Sequence, residues 1–250
     1  MDYIRLTSDN LEKEHICCAI SNNKDVQVAS KKAWLAERLN EGLVFLKSVE
    51  RGKCFIEYIP AEKAWCPISA NGYMHINCFW VSGSFKGHGY ANELLSACIA
   101  DAKQQGMNGI TVISSPKKTS FLSDPKYLAY KGFKTADSAD PFFTLMYLPF
   151  EENAPLPQFK SCAKHPHIDK QGFVIYYTHG CPFTAKYVPL IENIAKQKSV
   201  PFESILLDSM EKAQNAPMAW TNHAVFYNGE YVTNEILSEK KFDELMARLV

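Results

Sequence analysis

The sequence contains no run approaching the roughly 18–20 consecutive apolar residues that a membrane-spanning helix needs. Its opening stretch, MDYIRLTSDNLEKEH, has no basic-then-apolar leader. Neither charge is in excess, because Lys+Arg and Asp+Glu both number 27. A neutral chain has no overall attraction for phosphate backbones or anionic lipid, so neither nucleic acid nor a membrane is expected as partner. No pair of its 8 cysteines has the C-x-x-C spacing of a zinc knuckle or dithiol motif. The nearest metal-like group, Cys162, His165 and His167, lies in a proline-rich stretch without a fourth ligand, and no metal is expected there. A chain this long folds without disulfides, so reduced thiols and a cytoplasmic location are expected. What it does have is 46% hydrophobic residues, enough for one large domain or two small ones.

Residues 151–172 (EENAPLPQFKSCAKHPHIDKQG) interrupt the periodic pattern, because Pro155, Pro157 and Pro166 oppose both helix and strand. They read as a linker that packs on one neighbour, between a domain at 1–150 and a smaller one at 173–250. Before the linker, 3–7, 43–49, 53–58, 73–81, 109–114 and 142–148 read as strands. Helices are expected at 11–21, 31–40, 90–105 and 123–131, the third with Leu94, Leu95, Cys98, Ile99 and Ala102 on one face. This is an α+β pattern around one mixed sheet. After the linker, strands at 173–178, 202–207, 224–227 and 230–233 alternate with helices at 182–198, 209–216 and 240–249. Asn228-Gly229 forms the hairpin turn. The second order is that of a compact α/β unit. Two separable domains are the expectation.

The most informative stretch is FWVSGSFKGHGYANELL at 79–95, where a strand ends at Val81, a loop follows and a helix begins. Glycines let the backbone approach an anion closely. The first N–H groups of a helix have no internal partner, and the helix dipole adds partial positive charge there. That makes a pyrophosphate site without net basic charge, to which Lys86 and His88 add side-chain contacts. No Gly-Lys-Ser/Thr follows, so this is not a P-loop, and the three-glycine dinucleotide spacing is missing.

Lys86-Gly87-His88-Gly89-Tyr90-Ala91 resembles the signature of the GNAT superfamily of N-acetyltransferases: Arg or Gln, two residues, Gly, one residue, then Gly or Ala. Lys86 takes the first place. Phe79-Trp80-Val81 and Leu94-Leu95 stand where the family has a strand and apolar helix positions. Tyr127-Leu-Ala-Tyr130-Lys-Gly-Phe133 resembles the family's later helix ending in Gly-Phe. The resemblance implies acetyl-CoA as co-substrate. Phe79 and Val81 would lie along the pantetheine arm, and Lys86, Gly87, His88, Gly89, Tyr90 and Ala91 around the pyrophosphate. It also implies direct attack by the amine of a small molecule, with a base for the ammonium and an acid for the thiolate. Many members place the acid Tyr four residues before that Gly, where this chain has Leu128. Tyr127 is then the candidate acid. His75 and Asn77, on one face of a strand by alternation, and Glu57 on its neighbour are candidates for the base.

In the second half a strand runs into His179-Gly180-Cys181-Pro182-Phe183-Thr184 and a helix. A cysteine at a helix N-terminus has its thiolate stabilised, so Cys181 is expected to be the most acidic thiol. This resembles the thioredoxin/glutaredoxin fold, whose active helix starts Cys-Pro-aromatic-Cys. Thr184 replaces the second Cys, which leaves only a monothiol role, and 220–226 lack the proline such proteins place before the hairpin strand. The pairing of the two halves is similar to YoaP-type acetyltransferases. The sequence thus points to a GNAT-like mixed sheet followed by a thioredoxin-like α/β domain, acting as an N-acetyltransferase. Monothiol chemistry at Cys181 with a regulatory first half, and a non-catalytic acyl-CoA sensor, stand as the alternatives.

Overall fold

A computed structural model of the chain describes residues 1–18 and 22–249. The first half is built from β1 (Tyr3–Arg5), α1 (Val26–Leu39), β2 (Val44–Ser48), β3 (Cys54–Pro60), the short β4 (Ile68–Ser69), β5 (Tyr73–Val81), α2 (Tyr90–Gln104), β6 (Gly109–Ser114), α3 (Pro125–Tyr130), β7 (Lys134–Ala139) and β8 (Phe143–Pro149). Its seven-stranded sheet has the order β1-β2-β3-β5-β6-β8-β7. Only β5 and β6 pair in parallel; the other neighbours are antiparallel. A parallel pair needs a crossover, and α2 supplies it.

The helix expected at 11–21 does not form among the described residues. Residues 8–14 are turns, and Ala19–Ser21 lie outside the described part. Asn10 explains the turns: its side chain accepts from the Thr7 N–H at 2.9 Å and donates to the Arg5 carbonyl at 3.0 Å. Side-chain bonds to nearby backbone compete with a helix. The next helix starts earlier than its apolar pattern suggested, at Val26, because Asp25 caps it by accepting from the Gln27 N–H. Strand β7 was not anticipated. Its sequence, KTADSA, has little β propensity, and it forms as the sheet's edge.

The expected linker does not pack on one neighbour alone: residues 158–164 hold to the first half, and 167–172 hold to the second, where the Ile168 N–H donates to the Gly229 carbonyl at 3.0 Å. β9 (Gln158–Phe159) pairs with β4, and the Asp137 carboxylate accepts from the Phe159 N–H and from Lys164. His165 faces Asp140 at 2.7 Å and His167 faces Glu230 at 3.1 Å, each on its own exposed carboxylate.

The second half continues with β10 (Phe173–Tyr177), α4 (Thr184–Gln197), β11 (Phe202–Leu206), α5 (Met210–Gln214), β12 (His223–Tyr227), β13 (Glu230–Thr233) and α6 (Glu239–Leu249). Its sheet has the order β11-β10-β12-β13, with β10 and β11 parallel. One face packs Phe173, Ile175 and Val225 on Val188 and Ile191 of α4 and Phe242 of α6.

The other face settles how the halves relate. Val174, Ala224 and Phe226 join one continuous core with Phe45, Phe55, Ile59, Trp65 and Phe143 of the first half. The first half's sheet has its own helices α2 and α3 on one side, over Ile56, Met74, Ile110 and Val112. On the opposite side α1 covers only part of the sheet, and the second half covers more. The expectation of two separate cores is therefore corrected: strand alternation gives each sheet a second apolar face, and these faces meet.

Candidate active site

Strand β5 pairs with β6 only from Tyr73 to Ile76 (opposite Gly109 to Val112). Beyond Ile76 it stays on β3 as far as Val81, while β6 stays on β8 as far as Thr144. The two parallel strands therefore part, and the β6-facing edge of residues 77–81 opens. A bulge sits at the parting point, where Asn77 and Cys78 share one position opposite Glu57. Bulges bend a strand and re-aim its side chains. Phe79 and Val81 turn to the α2 side, while Cys78 and Trp80 turn to the α1 side.

Below the opening lies the glycine loop. Gly87 and Gly89 have φ of +82° and +81°, and a Cβ built on either would meet nothing within 4 Å. Gly89 is the N-cap of α2 and lends it no side-chain cap. Among the described hydrogen bonds none is donated by the backbone N–H groups of residues 87–91. These donors lie at the positive end of a 15-residue helix, beside the open space at Gly87 and Gly89. Phe85 is buried beneath the loop against Tyr90, and His88 stacks on Tyr90. Lys86 is exposed.

Tyr127 stands at the same opening. Its ring packs edge-on against Phe79 at 5.8 Å, and its hydroxyl donates to Asn92 Oδ1 in the first turn of α2 at 3.2 Å. Burial pushes the phenol up to about 12, so it is a proton donor throughout the neutral range. Leu128 is fully buried in the core and Tyr130 is exposed. The departure from the family spacing thus leaves Tyr127 as the helix's hydroxyl at the opening.

His75 does not belong to this site. The bulge breaks the alternation that placed it beside Asn77, and it is 2% exposed. Its ring nitrogens meet Thr111 Oγ1 at 3.0 Å and Cys66 Sγ at 3.6 Å. Burial pushes it down to about 3, which removes it as a base near neutral pH.

On the α1 side the structure assembles a group the sequence had not joined. Lys31 of α1 and Glu57 of β3 are each 2% exposed and meet at 2.6 Å. Asn77 donates to the other Glu57 oxygen at 3.3 Å. The Lys31 ammonium also donates to the Gly180 carbonyl of the second half at 2.7 Å and lies 4.3 Å over the Trp34 ring. Burying two charges is offset only by such complete pairing.

Cys181 follows immediately. The expected acidic thiol is corrected: burial pushes it up to about 11. Helix α4 begins only at Thr184, so Cys181 lies before the first turn, and Thr184 is turned inward to donate to the Thr178 and Cys181 carbonyls. Such a thiol stays protonated near neutral pH. Iodoacetamide at pH 7 is therefore expected to label exposed Cys162 well before Cys181, as read by peptide mass spectrometry; faster labelling of Cys181 would restore the acidic thiol.

Parted parallel strands beside a glycine-walled helix start leave an opening suited to an extended ligand with an anionic end. Residues 9–119 match the Acetyltransferase (GNAT) family, and residues 201–244 match the YoaP-like family. A Bacillus subtilis (strain 168) protein described as the uncharacterized N-acetyltransferase YoaP is 46% identical over 250 residues, covering 100% of both chains. Among solved structures, a GNAT acetyltransferase of Brucella melitensis in complex with acetyl-CoA is similar at 16% identity and TM-score 0.39, over 64% of this chain and 92% of that one. The Salmonella typhimurium protein yncA, described as a putative acetyltransferase and solved with acetyl-CoA, is similar at 16% identity and TM-score 0.41, over 62% of this chain and 96% of that one. The chain belongs to the GNAT N-acetyltransferases, among their YoaP-like members.

Proposed function

We propose that the chain transfers the acetyl group of acetyl-CoA to the amine of a small molecule by direct attack. The observation that carries this reading is the meeting, at one opening, of the parted β5 edge, the free amides of residues 87–91 and the Tyr127 hydroxyl. The open space at Gly87 and Gly89 supports a pyrophosphate held there by the amides at the helix start. Phe79 and Val81 line the arm's path. Lys86 and His88 add contacts from the loop, with Tyr90 and Ala91 opening the helix.

Direct attack needs an amine oriented at the thioester carbon, loss of the ammonium proton, and a proton for the departing thiolate. Tyr127 supplies the last, since it stays protonated in the neutral range and its Phe79 neighbour lies on the opened edge. With His75 buried, the proton acceptor comes from the Asn77–Glu57 end of the opening. The units 1–150 and 173–250, joined by 151–172, act together in this reading. The strand order β11-β10-β12-β13 supports a thioredoxin-like description of the second. The raised thiol of Cys181 favours a packing role for that residue over redox chemistry.

The test is coenzyme-A release from acetyl-CoA against a panel of amines and amino acids. In the same assay Tyr127→Phe is expected to lower kcat about 10²-fold, the usual scale for a general acid. Acetyl-CoA affinity, measured by calorimetry, should stay unchanged. A Tyr127→Phe enzyme with parental kcat would remove this residue from the proton path.

A further inference from the structure

At one end of the second sheet three connections come together, because β10 ends, β12 begins and β13 ends on the same side. Tyr177 stands opposite His223, and Val225 opposite Thr233. The connections are 178–183, 215–222 and 234–238. The first two are tied: the Thr178 hydroxyl donates to the Asn222 side chain at 2.8 Å and accepts from the Gly180 N–H at 3.1 Å. This end meets the first half at two points, one on each side of the parted strands. The Gly180 carbonyl accepts from Lys31, which bonds Glu57 opposite the bulge on the β5 side. Asn234, 1% exposed, donates from Nδ2 to the Ser120 carbonyl at 3.2 Å, in the loop that follows β6. The second half thus straddles the parting of β5 and β6 on the α1 side, the side to which Cys78 and Trp80 turn.

The loop at 115–124 is the rim on the β6 side. It starts where β6 ends, with Ser114 opposite Thr144, and finishes at Asp124, the cap of α3, whose Tyr127 stands at the opening. It also changes faces of the sheet, since Leu122 packs on the shared core and Leu128 in the core under α2. Buried hydroxyls fix its base: Ser114 Oγ donates to the Ser123 carbonyl at 2.7 Å, and Ser115 Oγ to the Lys117 carbonyl at 2.6 Å. Beside inward-packed Leu122, Phe121 is 45% exposed and takes a φ of +67°, an outlier for a bulky residue. The peptide that Asn234 holds is the one joining Ser120 to Phe121, and its plane helps to define that φ. A strained backbone persists only where its surroundings over-determine it. Here the second half supplies part of that constraint, and what it maintains is an aromatic ring open to solvent at the rim.

We propose that the second half builds the acceptor side of the acetyl-transfer opening: through Asn234 it holds the 115–124 loop so that Phe121 stands at the rim and contacts the incoming acceptor. This rests on the acetyl-transfer reading above and adds to it the residue that meets the acceptor and the part of the chain that sets it in place. The acyl carrier takes the α2 side, where the glycine loop, Phe79 and Tyr127 stand. Attack on the thioester carbon needs a direction that the carrier does not fill, and that is the α1 side of the parted strands. Phe121 is the exposed ring on that approach. Its face attracts an ammonium, and its body covers the carbon skeleton that bears it. Phe121 is thus an acceptor contact. Asn234 is a positioning residue, since it acts only through the loop.

The full chain is assayed by coenzyme-A release with the best amine of the panel. Phe121→Ala is expected to raise acceptor KM about tenfold, with the loss falling on KM rather than kcat. Acetyl-CoA affinity, measured by calorimetry, should stay at the parental value. Phe121→Gly should show the same KM and a melting temperature no lower than that of Phe121→Ala, because glycine adopts a φ of +67° freely. Asn234→Ala should raise KM about threefold or more when Phe121 is present and add nothing in a Phe121→Ala background, where no ring is left to aim. A merely structural Asn234 would cost the same in both backgrounds, and that result overturns its positioning role. Asn234→Ser, polar but too short to reach Ser120, takes its place if Asn234→Ala fails to fold. Parental acceptor KM in both Phe121 variants of an active enzyme overturns the proposal alone. So does a loss of acetyl-CoA affinity that matches the rise in KM, which would put Phe121 on the carrier. A parent that releases no coenzyme A with any amine overturns the acetyl-transfer reading itself, and the proposal with it.

Discussion

Gly89→Glu is expected to abolish acetyl-CoA binding, with no heat detected in a calorimetric titration that saturates the parent. Gly89 caps α2 at φ +81°, a conformation that glycine adopts freely. The position faces open space, so a side chain there projects to where the cradle's amides point. The new carboxylate would stand among free N–H donors, satisfy them itself and repel a second anion. The strain of a non-glycine residue in this conformation is about 1–2 kcal/mol. A domain with about 5–15 kcal/mol of stability survives it. Circular dichroism should therefore show an intact fold. Gly89→Ala separates the two effects, with the same strain and no charge, and is expected to bind more weakly than the parent but measurably. Lys86→Ala should weaken binding about fivefold or less, because an exposed ammonium contributes little beside fixed backbone amides. If Gly89→Glu binds like the parent, the pyrophosphate is held elsewhere.

The glycine loop and the helix start behind it were legible in the sequence because their geometry is local. Strand end, glycines and helix start are contiguous, and backbone amides need no partner from elsewhere in the chain. Most elements were legible for the same reason: β5, β6 and β13 fall where alternation and turn residues put them. Strand β7 was not, because an edge strand of KTADSA takes its pairing from β8 rather than from its own side chains. The surroundings of the candidate acid and base were half-legible. Tyr127 could be named, but its aim depends on how α3 seats Leu128 in the core. His75 was misread because a bulge two residues further on, at Asn77, breaks the alternation, and single-residue bulges leave no mark in composition. The Lys31–Glu57 pair left a faint signal. Lys31 falls between Val28 and Leu35 on the buried face of α1, where a lysine implies a buried partner. Nothing local could name Glu57 or Gly180, which lie 26 and 149 positions away. Cys181 was misjudged for the complementary reason: its local motif suggests an exposed helix start, but the helix begins later and the loop packs against the first half.

Removing the second half is expected to unfold the first rather than release it. In a chain ended after Phe150, the face of the large sheet carrying Phe45, Phe55, Ile59 and Phe143 would lose Val174, Leu207, Met218 and Phe226. Each fully buried side chain of this kind contributes about 1.5–3 kcal/mol. Polar links would go as well: the Gln214 amide donates to the Glu62 and Ala64 carbonyls at 3.0 Å each, and the Thr221 hydroxyl donates to the Trp65 carbonyl. Lys31 would lose the Gly180 carbonyl and face water with Glu57. Together these losses rival the whole stability of a domain, about 5–15 kcal/mol. Calorimetry of the intact chain should show one cooperative transition, with calorimetric and van't Hoff enthalpies equal. The 1–150 fragment should lack a folding transition at the same temperature, and proteolysis within 151–172 should be slow until the whole chain unfolds. Two resolved transitions, or a 1–150 fragment as stable as the intact chain, would show that the halves fold independently and that the shared core contributes little.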